Sequence, residues 1–337
     1  MFDLRSDTVT RPCNEMLKAM MNAEVGDDVF GEDPTINRLE KLGAEMFGQE
    51  AGLFCPSGTM TNQIAISVHT KPGDEVICHE TSHIYQYEVG GIARNSLCSV
   101  KLIYNDQAKL SPEEIKENIH ADYDWLAKTS LVVVEDTSNR GGGKCYELTE
   151  LKELSEICSK HGLAFHLDGA RAFNAIVKKG HDAKVYGALF DSISICLSKG
   201  LGAPVGSLLL GSHEFIKEAR RRRKGMGGGM RQGGYLAEAG IFALTRNVER
   251  LHEDHLLAEK IAETLSNCKT VTNVISPETN ILLFDVNDLC EVYLEKLSNQ
   301  GILGVSFGKQ RIRLVTHKDI ERGQISKLQD SIRKALN

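Results

Sequence analysis

Short apolar runs alternate with amphipathic stretches through the middle of the chain. Short runs rich in β-branched residues predict strands, and longer stretches with apolar residues every three or four positions predict helices. The predicted strands are 75–78, 100–104, 131–135, 163–167, 192–197 and 205–210. The predicted helices lie near 83–93, 111–119, 147–161, 181–188 and 213–223. This alternation predicts an α/β fold with a large, mainly parallel sheet that is covered on both faces.

The two ends of the chain show other patterns. Residues 1–14 are predicted to be an extended arm, because proline and β-branched residues disfavour a helix there. The further predicted elements are helices at 14–22, 34–47 and 60–69, a long helix at 235–265, and then strand 280–286, helix 288–299, strands 302–307 and 310–315, and helix 319–335. We therefore expect an arm and large domain over 1–249 and a smaller C-terminal α+β domain over 250–337.

Two of the predicted strands end on residues that carry chemistry. Lys199 follows strand 192–197 and precedes glycines, and Asp168 follows strand 163–167. A desolvated lysine is a nucleophile that forms Schiff bases with carbonyl substrates or with pyridoxal phosphate (PLP). PLP also needs a fixed carboxylate beside its pyridine nitrogen. A turn lysine and a helix N-cap are the alternatives for each residue alone, but the pair at neighbouring strand ends favours PLP.

Two further stretches suit an anionic group. Gly58 and Thr59 stand where a helix is predicted to begin, and the backbone amides of a helix N-terminus receive phosphate well. The loop over 225–234 is rich in glycine, which suits a phosphate or a neighbouring chain. Either stretch is also an ordinary turn, so each adds only modestly to the PLP hypothesis.

The sequence also contains a rival motif, His79-Glu80-Thr81-Ser82-His83, which matches the zinc-protease pattern. That motif requires a helix, on which both imidazoles share one face. Here it follows a predicted strand, so we expect no metal site. His83 is better placed to lie over a planar cofactor ring with a nitrogen near the substrate hydroxyl. A capped surface histidine is the plainer alternative.

Net charge and cysteine content bear on the binding partners and the location of the protein. The net charge of −6 disfavours nucleic acid and anionic membranes, and the basic run at 220–224 is expected to form the polar face of a helix. Nine cysteines without any Cys-x-x-Cys pair indicate reduced thiols and a cytoplasmic location. The N-terminus does not read as a signal peptide, and no apolar run approaches the ~20 residues that span a bilayer.

Several motifs together resemble one family, the PLP-dependent L-threonine aldolases of the low-specificity or L-allo type. The motifs occur in order along essentially the whole chain. They are DLRSDTVTRP at 3–12, GDDVFGEDPT at 26–35, PSGT at 56–59, DGAR at 168–171, LSKGLGAPVGS at 197–207, GGGMRQ at 227–232 and RLVTH at 313–317.

The resemblance implies PLP fold type I, as in aspartate aminotransferase, and a homotetramer built from dimers with shared active sites. It also implies reversible cleavage of L-threonine or L-allo-threonine to glycine and acetaldehyde. The alternatives are another PLP reaction on the same fold, such as β-elimination, racemisation or transamination, or a binding protein that has lost its cofactor. Intact Lys199 and Asp168 argue against the last of these.

The resemblance also implies a role for each matching residue. Lys199 is the Schiff-base lysine, Asp168 the partner of the pyridine nitrogen, and His83 the ring-stacking residue and candidate base. The remaining roles are phosphate binding by Gly58 and Thr59, substrate-carboxylate binding by Ser6, Arg171 and Arg313, a further cofactor contact from Arg171, and contributions of Arg231 and Lys224 to a neighbouring subunit's site.

Three positions depart from the family pattern. Asp124-Trp125 stands where many relatives have a histidine, Glu135-Asp136-Thr137 where many read Glu-Asn-Thr, and Phe30 where tyrosine is common. These departures concern the preference between threonine and allo-threonine and the identity of the base. They leave Lys199 and Asp168 untouched.

Overall fold

The computed structural model describes residues 1–337, apart from the side chain of residue 322. The N-terminal elements are β1 (Phe2–Asp3), α1 (Asn14–Met21), α2 (Pro34–Phe47), β2 (Ala51–Cys55), α3 (Gly58–His69), β3 (Glu75–His79), α4 (His83–Gln86), α5 (Gly91–Ser96), β4 (Ser99–Ile103), α6 (Pro112–Asn118), β5 (Thr129–Glu135), α7 (Leu148–His161), β6 (Ala164–Gly169), α8 (Ala172–Lys179), α9 (Ala183–Gly187), β7 (Ser192–Cys196), β8 (Ser207–Gly211) and α10 (His213–Gly225). The remaining elements are α11 (Gly234–Arg246), α12 (Leu251–Ser266), β9 (Val271–Ile275), β10 (Ile281–Val286), α13 (Cys290–Asn299), β11 (Ile302–Leu303), β12 (Val305–Ser306), β13 (Arg311–Val315) and α14 (Ile325–Leu336).

A seven-stranded sheet in the order β2-β8-β7-β6-β5-β3-β4 forms the centre of the large unit. Only β8 runs antiparallel to its neighbours, so the predicted parallel α/β sheet is confirmed. Six of its strands are buried along nearly their whole length, as expected where helices cover both faces, while the edge strand β4 is partly exposed. The carboxyl ends of six strands therefore meet at one edge, and this edge carries the residues that the sequence singled out.

Within the large unit, the strand β2 and the helix α8 were missed, because their sequences carry weak local signals. β2 is short and contains Gly52, where a Cβ would lie 2.6 Å from the Glu40 carbonyl oxygen. Close backbone approach therefore explains a residue that disfavours strands. The helix α8 begins at Ala172, just after Arg171, in a stretch that the periodicity did not mark as helical.

The long helix predicted at 235–265 is wrong: it is two helices, α11 and α12, separated at 247–250. Tertiary bonds fix the break. The Asn247 side chain donates to the Leu201 carbonyl at 2.6 Å, and Arg250 donates to the Gly200 carbonyl at 3.3 Å. Both acceptors lie directly after Lys199, so this break supports the loop that carries the lysine.

The C-terminal part contains a four-stranded antiparallel sheet in the order β12-β13-β10-β9. β9 was not predicted, and the strand predicted at 302–307 is two short strands that belong to different sheets. The N-terminal arm joins this unit, since β1 pairs with β11 and Phe2 and Leu4 are buried in its core. The proposed division near residue 249 stays a prediction.

The basic run within α10 turns inward in part. Arg223 is buried, donates to the Phe54 carbonyl and pairs with Asp28, while Arg220 pairs with Glu40. These guanidinium groups therefore stabilise the packing of α10 on the loop at 26–33. All nine cysteines are unpaired, as predicted. None of the helices in the described part of the chain has the length and apolar content needed to cross a membrane.

Candidate active site

Asp168 lies near the end of β6, at the centre of the carboxyl edge, and is 2% exposed. Its Oδ2 accepts a hydrogen bond from Asn62 Nδ2 at 2.9 Å, and the Ala170 amide donates to Oδ1 at 3.3 Å. On the next strand, Glu135 pairs with Asp168 in register. Burial, followed by the charge of Asp168, raises the pKa of Glu135. The edge therefore holds a dense group of carboxyls that favours a cationic ligand.

His83 begins α4 beside this group, where its backbone amide donates to Glu135 at 2.7 Å. Its Nδ1 lies 2.9 Å from Oε1 of the buried Glu88. Burial opposes the charged imidazole, but the Glu88 hydrogen bond and the charges of Asp168 and Glu88 outweigh it and raise the pKa of His83. Nδ1–H donates to Glu88, which leaves Nε2 as the basic atom.

Lys199 stands in the loop between β7 and β8. Its backbone carbonyl accepts hydrogen bonds from the Thr10 hydroxyl and the Gly202 amide, each at 2.8 Å. After the charge of Arg171, the charge of Lys199 also contributes to the lowered pKa of Asp7, and it partly offsets the raised pKa of His83. The ammonium group is therefore electrostatically coupled to the edge that holds His83, and its role as the Schiff-base lysine stays a prediction.

The arm brings a second charged group to this edge. Arg171 is buried and donates through Nε and Nη2 to Asp7, at 2.8 and 2.6 Å. Burial opposes ionisation of Asp7, but the Arg171 charge outweighs it and lowers the pKa of Asp7 to about 2. The resemblance implies that Arg171 binds a substrate carboxylate, and it gives no role to Asp7. The structure pairs the two, and a substrate contact of Arg171 stays a prediction.

Arg313, on β13, completes this part of the site. It donates to Asn139 Oδ1 at 2.8 Å and to the Arg5 carbonyl at 3.1 Å, while its Nε is buried without a hydrogen-bond partner. Burial, followed by the Arg171 charge, lowers the pKa of Arg313 to about 10. Ser6 lies in the same arm, and its Oγ accepts from the Thr8 amide. An unsatisfied buried guanidinium N–H is suited to an anionic ligand.

Gly58 and Thr59 are the first residues of α3, whose N-cap is Ser57. A Cβ at Gly58 would lie 2.7 Å from Cys196 Sγ, so the backbone approaches the end of β7 closely. Thr59 is exposed at the helix N-terminus. Backbone amides and a hydroxyl are thus available to an anion next to the strand that leads to Lys199.

Arg231 and Lys224 do not join this group within the chain. Both are exposed, and Arg231 pairs with Asp27 at 2.9 Å. Among the described residues, their recorded contacts are with the loop at 26–33 and the glycine-rich loop. Their predicted role requires a second subunit and stays a prediction.

The zinc-protease alternative is excluded by the backbone. His79 is the buried last residue of β3, and its ring contacts Thr81 Oγ1 and the Asn105 carbonyl. His83 begins a separate helix, so the two imidazoles do not share a helix face. His83, Glu88 and Asp168 do offer atoms within 4.8 Å of one another, close enough for a cation, but they already bond to each other and to Asn62.

The positions that depart from the family pattern lie in different surroundings. Trp125 is 74% exposed and stacks on Tyr123 with ring centroids 4.7 Å apart. Phe30 is 73% exposed. Asp136 is fully buried, where it accepts from the Tyr186 hydroxyl, and burial raises its pKa to about 7. Only Asp136 is adjacent to the residues of the edge described above.

The chain is similar to known proteins over nearly its whole length. The beta-eliminating lyase family model matches residues 3–288. The low specificity L-threonine aldolase of Escherichia coli K12 is 43% identical over 330 residues, covering 97% of each chain. Low-specificity L-threonine aldolase 1 of Arabidopsis thaliana is 42% identical over 332 residues, covering 96% of this chain and 93% of that protein.

The threonine aldolase of Leishmania major has the same fold, with a TM-score of 0.87 at 22% identity and complete coverage of both chains. The predicted fold type I is thereby confirmed. Because the motifs, the fold and two relatives of more than 40% identity agree, the chain belongs to the beta-eliminating lyase family, among its PLP-dependent low-specificity L-threonine aldolases.

Proposed function

We propose that this chain is a PLP-dependent lyase that cleaves L-threonine and L-allo-threonine to glycine and acetaldehyde. The observation that carries the proposal is that Asp168 and His83 offer atoms within 4.8 Å of each other at one sheet edge, to which the charge of Lys199 is coupled. A carboxylate, an imidazole and a lysine amine are the groups that this reaction requires.

The residues at the edge fit PLP. The Asp168 carboxylate is buried and held by Asn62, which suits a protonated pyridine nitrogen. The N-terminus of α3 offers amides to a phosphate, and Gly58 keeps the space that a side chain would fill. Lys199 would hold the cofactor covalently, and His83 would lie against its ring.

When bound, PLP accepts the electron pair of the bond that breaks at the substrate Cα. His83 Nε2 takes the proton of the β-hydroxyl while the Cα–Cβ bond breaks. The β-carbon leaves as acetaldehyde with a new C=O bond, and a proton returns to Cα to give glycine. A positioned base of this kind contributes about 10²–10⁴-fold to the rate.

Arg313 and Ser6 orient the substrate through its carboxylate. The unsatisfied Nε of Arg313 points to a missing acceptor, and Ser6 lies in the arm whose Arg5 carbonyl Arg313 contacts. Arg171 supports the arm through Asp7. Fixing the carboxylate would set which bond of Cα is aligned for cleavage when the cofactor is bound, and so would select the Cα–Cβ bond.

The test is the product formed from L-threonine, L-allo-threonine and phenylserine by PLP-loaded protein. Glycine and an aldehyde in equal amounts support the proposal, with Lys199→Ala as the inactive control. Ammonia and a 2-oxo acid would instead support β-elimination, the second candidate, which the name of the matching family model favours. Absence of both activities would refute the proposal.

We further propose a cytoplasmic homotetramer, a dimer of dimers, with Arg231 and Lys224 reaching a neighbour's site. Nine unpaired cysteines suit a reducing compartment, and the exposed Arg231 suits a contact between subunits. The test mixes Lys199→Ala with Arg231→Ala protein after dissociation. Activity of the mixture above the sum of the two separate variants supports shared sites, whereas activity no higher than that sum contradicts them.

A further inference from the structure

Asn62 connects two carboxylates that face different parts of the site. Its Nδ2 lies 2.9 Å from Asp168 Oδ2 and 3.0 Å from Glu88 Oε1. Asn62 is 2% exposed, Asp168 2% and Glu88 3%, so water does not compete for these bonds. Both acceptors are carboxylate oxygens, which require the NH₂ group of the amide to face them. Each of its two hydrogens therefore has one carboxylate.

The two carboxylates have separate tasks in the proposed site. Asp168 faces the pyridine nitrogen, and Glu88 holds Nδ1 of His83 at 2.9 Å. Asn62 therefore holds the Asp168 carboxylate and the Glu88 carboxylate in a fixed position relative to each other. The same amide also gives each carboxylate a neutral donor, so neither Asp168 Oδ2 nor Glu88 Oε1 is left without a hydrogen bond in this buried place.

The position of Asn62 on α3 strengthens this assignment. Gly58, at the proposed phosphate end, stands four residues earlier on the same helix. Residues four apart lie on one face, about 6 Å apart along the axis. One helix therefore presents its N-terminus to the phosphate and, one turn later, the amide that holds the carboxylate for the ring nitrogen.

The oxygen of Asn62 is fixed from the other side. His166 Nε2 lies 3.3 Å from Asn62 Oδ1, and burial lowers the pKa of His166 to about 3, so its ring is neutral. Its Nδ1 lies 2.8 Å from Ser192 Oγ and 3.1 Å from the Ser192 carbonyl. A proton on Nδ1 would donate to the Ser192 carbonyl, but it would leave an unprotonated Nε2 facing Asn62 Oδ1, and both of these atoms are acceptors. The Nε2–H tautomer gives Asn62 Oδ1 its donor and lets the Ser192 hydroxyl donate to Nδ1, while the Ser192 carbonyl loses the Nδ1 donor.

We propose that Asn62 is a positioning residue that ties Asp168 and Glu88 together and is itself held by the Nε2–H of His166. This inference rests on the proposed function, because it assigns Asp168 to the ring nitrogen of PLP. Asn62 touches neither substrate nor cofactor in this assignment and acts through the two carboxylates.

The neighbouring Gln63 provides a matched control. Its Nε2 donates to Glu88 Oε2 at 2.6 Å, and its Oε1 accepts from Asn95. It is as buried as Asn62 and carries the same amide, but its recorded hydrogen bonds do not include Asp168. Gln63→Leu therefore removes a buried amide beside Glu88, whereas Asn62→Leu also removes the donor to Asp168.

The experiment measures PLP binding to the apoprotein as a function of pH. A hydrogen bond to a charged group is worth ~1.5 kcal/mol or more. Its loss in Asn62→Leu should therefore raise by about one unit the pH at which PLP affinity falls on acidification, here called the acid limb of PLP binding. PLP affinity at neutral pH should fall about tenfold or more, while Gln63→Leu should keep the wild-type acid limb. The other charged groups facing Asp168, namely His83, Glu88, Glu135 and Lys199, are the same in all three proteins.

Three results would overturn the reasoning, and they differ in meaning. Wild-type protein that does not bind PLP would refute the proposed function. PLP binding by Asn62→Leu with a wild-type acid limb, or an equal shift in Gln63→Leu, would refute the role of Asn62. If Asn62→Leu does not fold, ¹⁵N imidazole spectra of the wild-type apoprotein decide: a neutral His166 protonated on Nε2 supports the proposal, and protonation on Nδ1 overturns it.

Discussion

The buried pair of Asp7 and Arg171 should hold the N-terminal arm over the active site. Asp7 is fully buried and accepts two hydrogen bonds from Arg171 and one from Asn280. Asp7→Asn keeps the shape of the side chain but leaves the Arg171 charge buried without its partner. Breaking a buried ion pair in this way costs about 3–5 kcal/mol of unfolding free energy.

The pKa of Asp7 gives a second measure of the same interaction. The folded-state value of about 2 lies below the ordinary value of 3.8, and about 1.4 kcal/mol per unit makes the difference worth about 2 kcal/mol. Because the folded-state pKa is depressed, this contribution is present above about pH 4 and is lost as the pH falls toward 2. Asp7→Asn should lack this part of the acid dependence.

The assay is urea unfolding of the apoprotein at one fixed protein concentration, followed by circular dichroism. Asp3→Asn is the matched control, because Asp3 pairs with the exposed Arg5 in the same arm and should cost less than about 1 kcal/mol. Adding Arg171→Met to Asp7→Asn should recover part of the loss. The reasoning is refuted if Asp7→Asn costs no more than Asp3→Asn, or if the double variant costs the full sum.

Three other predictions follow from single groups. Burial raises the pKa of Asp136 to about 7, so ionisation of Asp136 destabilises the fold increasingly from about pH 4 to 7. Asp136→Asn should therefore raise the melting temperature more at pH 8 than at pH 5, and the gain in unfolding free energy should be at most about 4 kcal/mol. An equal change at both pH values would contradict this. Arg313→Gln should raise KM for threonine at least about tenfold and lower kcat. The control Arg311→Gln, on the same strand, removes a partly exposed pair with Asp285 and should leave KM near wild type. Similar effects of the two substitutions would argue against a contact between Arg313 and the substrate carboxylate. His83→Phe should keep PLP binding but lower kcat by about 10²–10⁴-fold, and unimpaired cleavage would remove His83 as the base.

The sheet and the two central residues were predictable because their signals are local. Buried parallel strands appear as short apolar runs; Asp168 lies at the end of one of them, and Lys199 stands three residues after another. The carboxyl ends of such strands meet at one edge, which the register of β6 and β7 confirms. The helix starts at Asp33 and Ser111 also follow from cap residues beside proline.

The partners of these residues were not predictable, because their contacts span the chain. Asn62 lies 106 residues from Asp168, and Asp7 lies 164 residues from Arg171. Each is a polar residue within an otherwise ordinary helix or arm, and nothing in its local pattern distinguishes it from an exposed one. The break between α11 and α12 was missed for the same reason. The helical pattern of apolar residues continues across the break, which is fixed by hydrogen bonds from Asn247 and Arg250 to a distant loop.

The most direct test of the account is the site at which the cofactor attaches. PLP-loaded protein is reduced with borohydride, digested and analysed by mass spectrometry. We predict one phosphopyridoxyl group per chain, on the peptide that contains Lys199, and none in Lys199→Ala protein. Stable labelling of a different lysine, or no labelling of protein saturated with PLP, would contradict the assignment of this sheet edge as the active site.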